Sequence, residues 1–249
     1  MTTREFSDGF STLLNSYTGR IQFGEEGSGR DINLNEYEKS LFLTEAQEAI
    51  TLSVYTGKSP IFDGFEVTEE TRRYLSNLVE TAELSPETNL SGNILGMGST
   101  SKFFTLPDGK GEKPAVWFIT YEKVNIVSNQ CGKAGELDVV PVTQDEYNRL
   151  KKNPFRGANN RRALRLDLSD GVIEIISKYE VSNYYIRYVR KPRPIILANL
   201  DGLTIEGEKT VLSEESPCEL HEALHKKILE TAVDIALRSK SIGVSNKEN

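Results

Sequence analysis

The feature that most constrains the fold is a change in hydrophobic spacing near residue 101. Before it, apolar residues recur at helical intervals, beginning with Phe6, Phe10, Leu14 and Tyr17. After it, β-branched and aromatic residues come in short segments separated by polar breaks, which is typical of strands. The sequence therefore predicts an α+β protein with an N-terminal helical part, a central antiparallel β domain with a short inserted helix, and a long C-terminal amphipathic helix.

Capping patterns divide the first hundred residues. A Ser, Thr or Asn followed three residues later by Glu or Gln marks a helix start, and this occurs at Thr2, Asn35 and Thr44. A glycine ends a helix well, as Gly19 and Gly57 would. We therefore predict a helix from Thr2 to about Gly19, a short helix running into a longer one over 35–57, and a third helix over 67–84.

The middle of the chain predicts strands with one helix inserted among them. Thr143 caps the helix, which covers 143–152. The strands are predicted in six segments rich in Val, Ile, Tyr and Phe: 113–128, 136–142, 162–168, 171–179, 182–190 and 193–207.

The last helix has an apolar stripe that predicts packing. Ser216, Pro217 and Glu219 resemble a helix start with a capping box. We expect four parts in the chain: a helical region with a linker over 1–100, a β domain over 101–212, a C-terminal helix over 213–240 that packs on the helical region, and a loose tail over 241–249. The predicted packing side chains follow helical spacing: Leu220, Leu224, Ile228, Ala232 and Ile235.

Composition and charge exclude several classes of protein. The chain has 249 residues, two cysteines and a net charge of −7, which argues against a disulfide scaffold and against wholesale nucleic-acid binding. It contains no apolar run long enough to span a bilayer, so no membrane contact is expected. Residues 1–100 carry 16 acidic and seven basic side chains, whereas residues 101–170 carry nine and twelve. Such opposed charge suits self-association or a protein partner.

One motif points to a metal enzyme. His221, Glu222 and His225 spell H-E-x-x-H, in which two histidines of a helix bind zinc and the glutamate activates a water. A catalytic zinc site needs a third protein ligand, but the chain has no other histidine and leaves no second helix downstream. We therefore interpret the motif as part of an amphipathic helix, with no metal, no catalytic residue and no cofactor. A zinc-dependent hydrolase is the alternative.

A second motif is a dense basic stretch over 149–165 that contains no acidic residue. Guanidinium groups bind phosphates and carboxylates alike, so the stretch predicts a contact with an acidic partner surface or with phosphate. An accessory DNA-binding protein that acts through this stretch is a further alternative, although no recognition motif accompanies it. With three arginines from 187–193, the candidate interface residues are Arg149, Lys151, Lys152, Arg156, Arg161, Arg162, Arg165, Arg187, Arg190 and Arg193.

Four stretches together resemble a known family: LNEYEKSLFLTEAQEAI (34–50), VVPVTQDEYNRLKKNPFRGANNRRALRLD (139–167), YYIRYVRKPRPIIL (184–197) and CELHEALHKKILETAVDIAL (218–237). The chain resembles the head–tail connector or ring (adaptor) structural proteins of crAss-like short-tailed bacteriophages. In that family the final helix is a packing element, and its His-Glu pair occurs without zinc. This chain departs from the family in carrying Lys226 after His225 and in having His221, which creates the metal-like spelling.

The resemblance implies a virion structural protein that is not an enzyme. It implies a homo-oligomeric, dodecameric ring in the portal–tail neck, which extends the DNA channel and contacts the portal and neighbouring ring or tail proteins. Contact with packaged DNA would be passive, and the net negative charge agrees with this because it does not favour binding phosphate. The expected location is the virion neck or tail, with the host cytoplasm during assembly.

Overall fold

The computed structural model describes residues 1–22, 34–57, 69–87, 101–109, 113–128, 132–153, 155–200, 202–206 and 211–245. The chain forms two compact units. The helical unit comprises Met1–Leu78 and Lys191–Asn249, and the sheet unit comprises Val79–Arg190. The boundaries therefore lie at 78/79 and 190/191, whereas the sequence predicts them at 100/101 and 212/213.

In chain order the helices are α1 (Thr3–Gln22), α2 (Glu36–Thr56), α3 (Glu69–Tyr74), α4 (Gln144–Leu150) and α5 (His225–Ser245). The strands are β1 (Val79–Leu84), β2 (Lys102–Thr105), β3 (Val116–Ile126), β4 (Gly135–Val142), β5 (Arg162–Asp167), β6 (Val172–Ile176), β7 (Val181–Arg190), β8 (Ile205–Glu206) and β9 (Val211–Leu212). The predicted α+β class is confirmed. None of the described helices has the length and apolar character needed to cross a membrane.

The starts of α1 and α2 follow the predicted capping chemistry. At α1 the backbone N–H of Thr2 donates to the Glu5 carboxylate at 2.8 Å, and the N–H of Glu5 donates to the Thr2 hydroxyl at 3.2 Å. Asn35 and Glu38 form the same reciprocal pair at α2. Gly57 ends α2 in the left-handed conformation. Local side-chain chemistry therefore fixes the bounds of α2 to within one residue of the prediction.

Helices α1, α2 and α5 share the core of the helical unit, since α5 contacts both of the others. The α1 stripe of Phe6, Phe10 and Leu14 is buried. From the predicted C-terminal stripe, Leu220, Leu224, Ile228 and Ala232 are buried and Ile235 is partly exposed.

A segment over 193–197 runs along α2 in the helical unit. The sequence predicts a strand here, but the segment does not form one, because most of its backbone hydrogen bonds go to side chains of α2. The N–H groups of Ile195 and Leu197 donate to the hydroxyls of Thr44 and Ser40, each at 3.1 Å. The Gln47 amide donates to the Arg193 carbonyl at 2.7 Å. Thr44 and Gln47 therefore do not cap a second helix but hold this segment from the interior of α2.

We expect Gln47→Leu to loosen this segment. The substitution leaves the Arg193 carbonyl without its amide donor, and such a loss costs about 1–3 kcal/mol when the group is shielded from water. Hydrogen–deuterium exchange of the amides of Ile195 and Leu197 measures the effect directly and should become faster. Ala49→Gln, at an exposed position of the same helix, is the control and should leave their exchange unchanged. Equal protection in both variants would show that Gln47 does not hold the segment.

The sheet unit is a seven-stranded sheet with the order β1-β7-β3-β4-β5-β6-β2. All neighbours are antiparallel except β4 and β5, which are parallel and joined through α4. A parallel pair needs a crossover connection, and α4 supplies it. The prediction of an antiparallel domain with a short inserted helix therefore needs one correction, at this pair.

The sheet curls around its own core. Phe104 on the edge strand β2 lies 5.4 Å, ring to ring, from Tyr184 on β7, which is next to the opposite edge. Both rings are fully buried, together with inward-pointing residues of β3, β4, β5 and β6: Val124, Ile126, Leu137, Val139, Ala163, Ile173 and Ile175. Tyr147 of α4 covers part of the outer face, over Leu164, Leu166 and Ile176.

Two predicted helices have wrong bounds. Of the helix predicted over 67–84, the structure has α3, a 3-10 turn at Ser76–Leu78 and then β1, because β1 pairs with β7 along its whole length. The C-terminal helix begins at His225 and not at Ser216. The backbone of Ser216 pairs with Ile196, and Glu219 accepts the N–H of Arg193 at 2.9 Å, so neither residue caps the helix. Helix α5 continues to Ser245 through part of the predicted tail, and residues 246–249 lie outside the described residues.

Candidate assembly surfaces

The H-E-x-x-H motif does not lie within one helix. His221 precedes a 3-10 turn at Glu222–Leu224 and caps it, with its Nδ1 accepting the N–H of Ala223 at 3.3 Å. His225 is the first residue of α5. The two histidines therefore lack the one-turn helical spacing on which zinc binding by this motif depends. No cluster of His, Cys, Asp and Glu among the described residues could hold a metal ion.

His225 uses both ring nitrogens inside the helical unit. Its Nε2 lies 3.0 Å from the Leu220 carbonyl and its Nδ1 lies 2.8 Å from the amino group of Met1. These contacts fit a neutral ring that donates from Nε2 and accepts at Nδ1. Burial lowers the pKa of His225, because it disfavours the charged imidazolium. The ring also packs on Phe6, at 5.3 Å between centroids, so His225 joins α5 to α1.

The predicted basic stretch divides into an exposed part and a buried part. Five cations are exposed on α4 and on the loop that joins it to β5; we call them the basic cluster: Arg149, Lys151, Lys152, Arg156 and Arg161. Arg162 begins β5 and is partly exposed. Arg165, three residues further on, is buried and does not belong to the cluster.

Arg165 forms an ionic network inside the curled sheet. Its Nη1 lies 2.9 Å from both carboxylate oxygens of Glu122 on β3, and its Nε lies 3.0 Å from Asp167. The Tyr184 hydroxyl donates to Glu122 at 2.6 Å. Burial raises the pKa of Glu122, and the Arg165 guanidinium offsets this only in part. Arg165 thus has a structural role in this unit.

The three predicted arginines beyond the stretch have different surroundings. Arg187 is partly exposed on β7. Arg190 pairs with Glu80 of β1 at 3.8 Å, and Arg193 pairs with Glu219 at 3.8 Å. These two pairs lie within the sheet unit and the helical unit respectively. The ten predicted interface residues therefore differ in their surroundings, and Arg165, Arg190 and Arg193 each pair with a carboxylate of their own unit.

Three asparagines that the sequence analysis did not single out shape the loop of the basic cluster. The Asn153 side chain accepts the N–H groups of Phe155 and Arg156 at 2.9 and 3.2 Å. Asn159 accepts the N–H of Arg161 at 2.9 Å, and Asn160 accepts from the Lys178 ammonium at 3.1 Å. Asparagine and glycine within a few residues of each other favour such turns, because the asparagine side chain bonds nearby backbone N–H groups and glycine fits tight turns. The pattern N-P-F-R-G-A-N-N at 153–160 carried that signal.

The comparisons with known proteins agree with the resemblance in the sequence. The chain is 47% identical to Ring protein 3 of Bacteroides phage crAss001 over 252 residues, which covers the full length of both proteins. It is 28% identical to Ring protein 4/5 of the same phage over 246 residues, with 95% of this chain and 92% of the relative covered. A family described as phage tail ring protein 3/4 matches residues 1–248. The chain therefore belongs to the phage tail ring protein 3/4 family, and it is a structural ring protein of a crAss-like phage virion rather than an enzyme.

Proposed function

We propose that the chain forms a closed, dodecameric ring in the portal–tail neck of the virion, where it extends the DNA channel and joins the portal to the tail. Its partners are further copies of itself, the portal protein and neighbouring ring or tail proteins. Assembly takes place in the host cytoplasm. The observation that carries the proposal is the full-length match to a family of ring proteins. A ring is built by the same contact repeated between copies of one chain.

Charge on the described surface supports contact between unlike faces. The basic cluster belongs to the sheet unit and is exposed, whereas exposed acidic side chains lie on α2 and α3 of the helical unit, for example Glu45, Glu69 and Glu70. A head-to-tail ring uses two different surfaces of each subunit, and opposite charges on them fix the register of the contact.

The net charge of −7 also suits a channel through which DNA passes. Tight phosphate contacts would hold DNA in place and would make binding strongly dependent on salt. Passive contact with DNA is therefore part of the proposal.

Light scattering and native mass spectrometry test the ring. We expect the purified chain, alone or mixed with the portal protein of the same phage, to form one closed oligomer of defined copy number. Negative-stain images of that fraction should show rings with a central opening. A chain that remains monomeric, alone and with portal and neighbouring ring proteins, would argue against the proposal.

A further inference from the structure

Phe155 is the most exposed large apolar side chain in the described part of the protein. It is 85% exposed and lies among the basic cluster, immediately before Arg156. Burying a phenylalanine stabilises a protein or a complex by about 1.5–3 kcal/mol, so its exposure forgoes a sizeable contribution in the isolated chain. Aromatic and arginine side chains are also the residues that most often dominate the binding energy of protein interfaces.

The loop holds Phe155 outward through contacts of its own. The Asn153 side chain accepts the N–H groups of Phe155 and Arg156, and the N–H of Gly157 donates to the Asn153 carbonyl at 2.8 Å. A Cβ on Gly157 would lie 2.8 Å from the Asn153 carbonyl oxygen and 2.9 Å from that of Leu150, so only glycine fits there. A preformed turn loses little conformational freedom on binding, which favours an interface role.

The chemistry of the loop defines the surface that it fits. The cations of the basic cluster lie on both sides of Phe155 in the sequence and are exposed as it is, and the stretch 149–165 contains no acidic residue. A complementary surface therefore combines exposed apolar groups with carboxylates. Basic groups that meet such a surface steer association and fix its register.

The outer face of α2 offers this combination. Leu41 and Leu52 are 39% and 44% exposed, and Glu45 is exposed between them. Glu48 is partly exposed and pairs with Lys191 at 2.9 Å. The spacings of four, three and four residues place these four side chains on one stripe of the helix, about a quarter of a turn from the side that holds segment 193–197. We call them the α2 outer stripe.

We propose that Phe155 of one copy docks on the α2 outer stripe of a second copy, next to Leu41, with Arg156 against Glu45. The inference rests on the ring proposed above and names the contact that builds it. Because the two surfaces differ, each copy uses its Phe155 loop to contact one neighbour and its α2 outer stripe to contact the other. The contact therefore repeats until the ring closes. Apolar contact at the centre with ion pairs around it is the usual anatomy of a specific interface.

Charge reversal on two separate chains tests this pairing. Arg156→Glu places two acidic side chains against each other at the contact, and Glu45→Arg places two basic ones there, so we expect each variant alone to fail to form the ring. A mixture of equal amounts should form it again, because every contact in an alternating ring then joins opposite charges. Phe155→Ala should weaken association by at least about 30-fold, the effect of losing an interface residue worth about 2 kcal/mol.

Controls separate docking from misfolding. Lys226→Glu reverses an exposed charge on α5 and should leave assembly unchanged. Each variant should keep the far-ultraviolet circular dichroism and the Trp117 fluorescence of the unsubstituted chain. A photo-cross-linking residue at position 155 should attach to α2 of another copy. Cross-links only to another virion protein, or to another surface of this chain, would overturn the inference.

The outcomes also distinguish this contact from the ring itself. If the unsubstituted chain forms no oligomer with any neck protein, the ring proposal fails and the docking inference fails with it. If the unsubstituted chain forms rings and both charge-reversed variants form them equally well alone, the ring stands and this contact is wrong. If both variants fail alone and their mixture fails too, the two surfaces do not meet.

Discussion

Glu122→Leu should lower the free energy of unfolding of the sheet unit by about 3–5 kcal/mol, the usual cost of breaking a buried ion pair from one side. Arg165 is buried, and its Nη1 contacts both carboxylate oxygens of Glu122. Removing them leaves a buried guanidinium with Asp167 as its remaining anion. The chain has a single tryptophan, Trp117 on β3, so denaturant titration followed by its fluorescence reports on this unit.

The matched controls use the same sheet. Lys123 and Glu136 form an ion pair at 2.7 Å that is open to solvent, so Glu136→Leu should change the midpoint far less. The double variant Glu122→Leu with Arg165→Leu should be more stable than Glu122→Leu alone, because no unpaired charge remains inside. If Glu122→Leu leaves the denaturation midpoint unchanged, the network of Arg165 and Glu122 contributes nothing to stability.

Ile228→Ala should destabilise the helical unit by about 2–5 kcal/mol, which is typical of a large-to-small change in a packed core. Ile228 is fully buried on α5, which contacts both α1 and α2. The lost methyl and methylene groups leave a cavity that rigid helices close only in part. Hydrogen–deuterium exchange of α5 amides under native conditions gives the change in its opening free energy.

Ile235→Ala is the matched control for Ile228→Ala. It removes the same atoms from the same helix at a partly exposed position, so its effect should be clearly smaller. Equal effects at both positions would contradict the burial order along α5 and the role of Ile228 in joining the helices.

Local chemistry made part of the fold predictable. The start and end of α2 depend on Asn35, Glu38 and Gly57, all within a few residues of the helix ends that they stabilise. The helix after Thr143 is of the same kind, because Thr143 caps α4 as predicted. Patterns of this type need no knowledge of the rest of the chain.

The elements that the sequence predicts wrongly are those whose structure depends on hydrogen bonds to segments far away in the chain. Val79–Leu84 follows helical residues in the sequence, but it becomes β1 because β7, a hundred residues further on, supplies its hydrogen bonds. The α2 side chains Ser40, Thr44 and Gln47 bond a segment about 150 residues away. Tertiary contacts of this range override local propensity, and one sequence does not show them.

The same distinction applies to the candidate interface. The exposed cations on α4 and its following loop were identifiable from composition, because turns with charged residues lie at the surface. The structural role of Arg165 is not identifiable from composition, since it depends on the ion pair with Glu122 from β3. Alternation along β5 carried a signal: Arg165 lies two residues from the buried Ala163 and so points to the same face of the sheet.

A cryo-electron-microscopy reconstruction of the phage particle tests the central claim most directly. We expect a closed ring of this chain between portal and tail, coaxial with the DNA channel, in which each copy contacts the next through unlike surfaces. Absence of the chain from the particle, or its presence there as isolated copies away from the neck, would contradict the account.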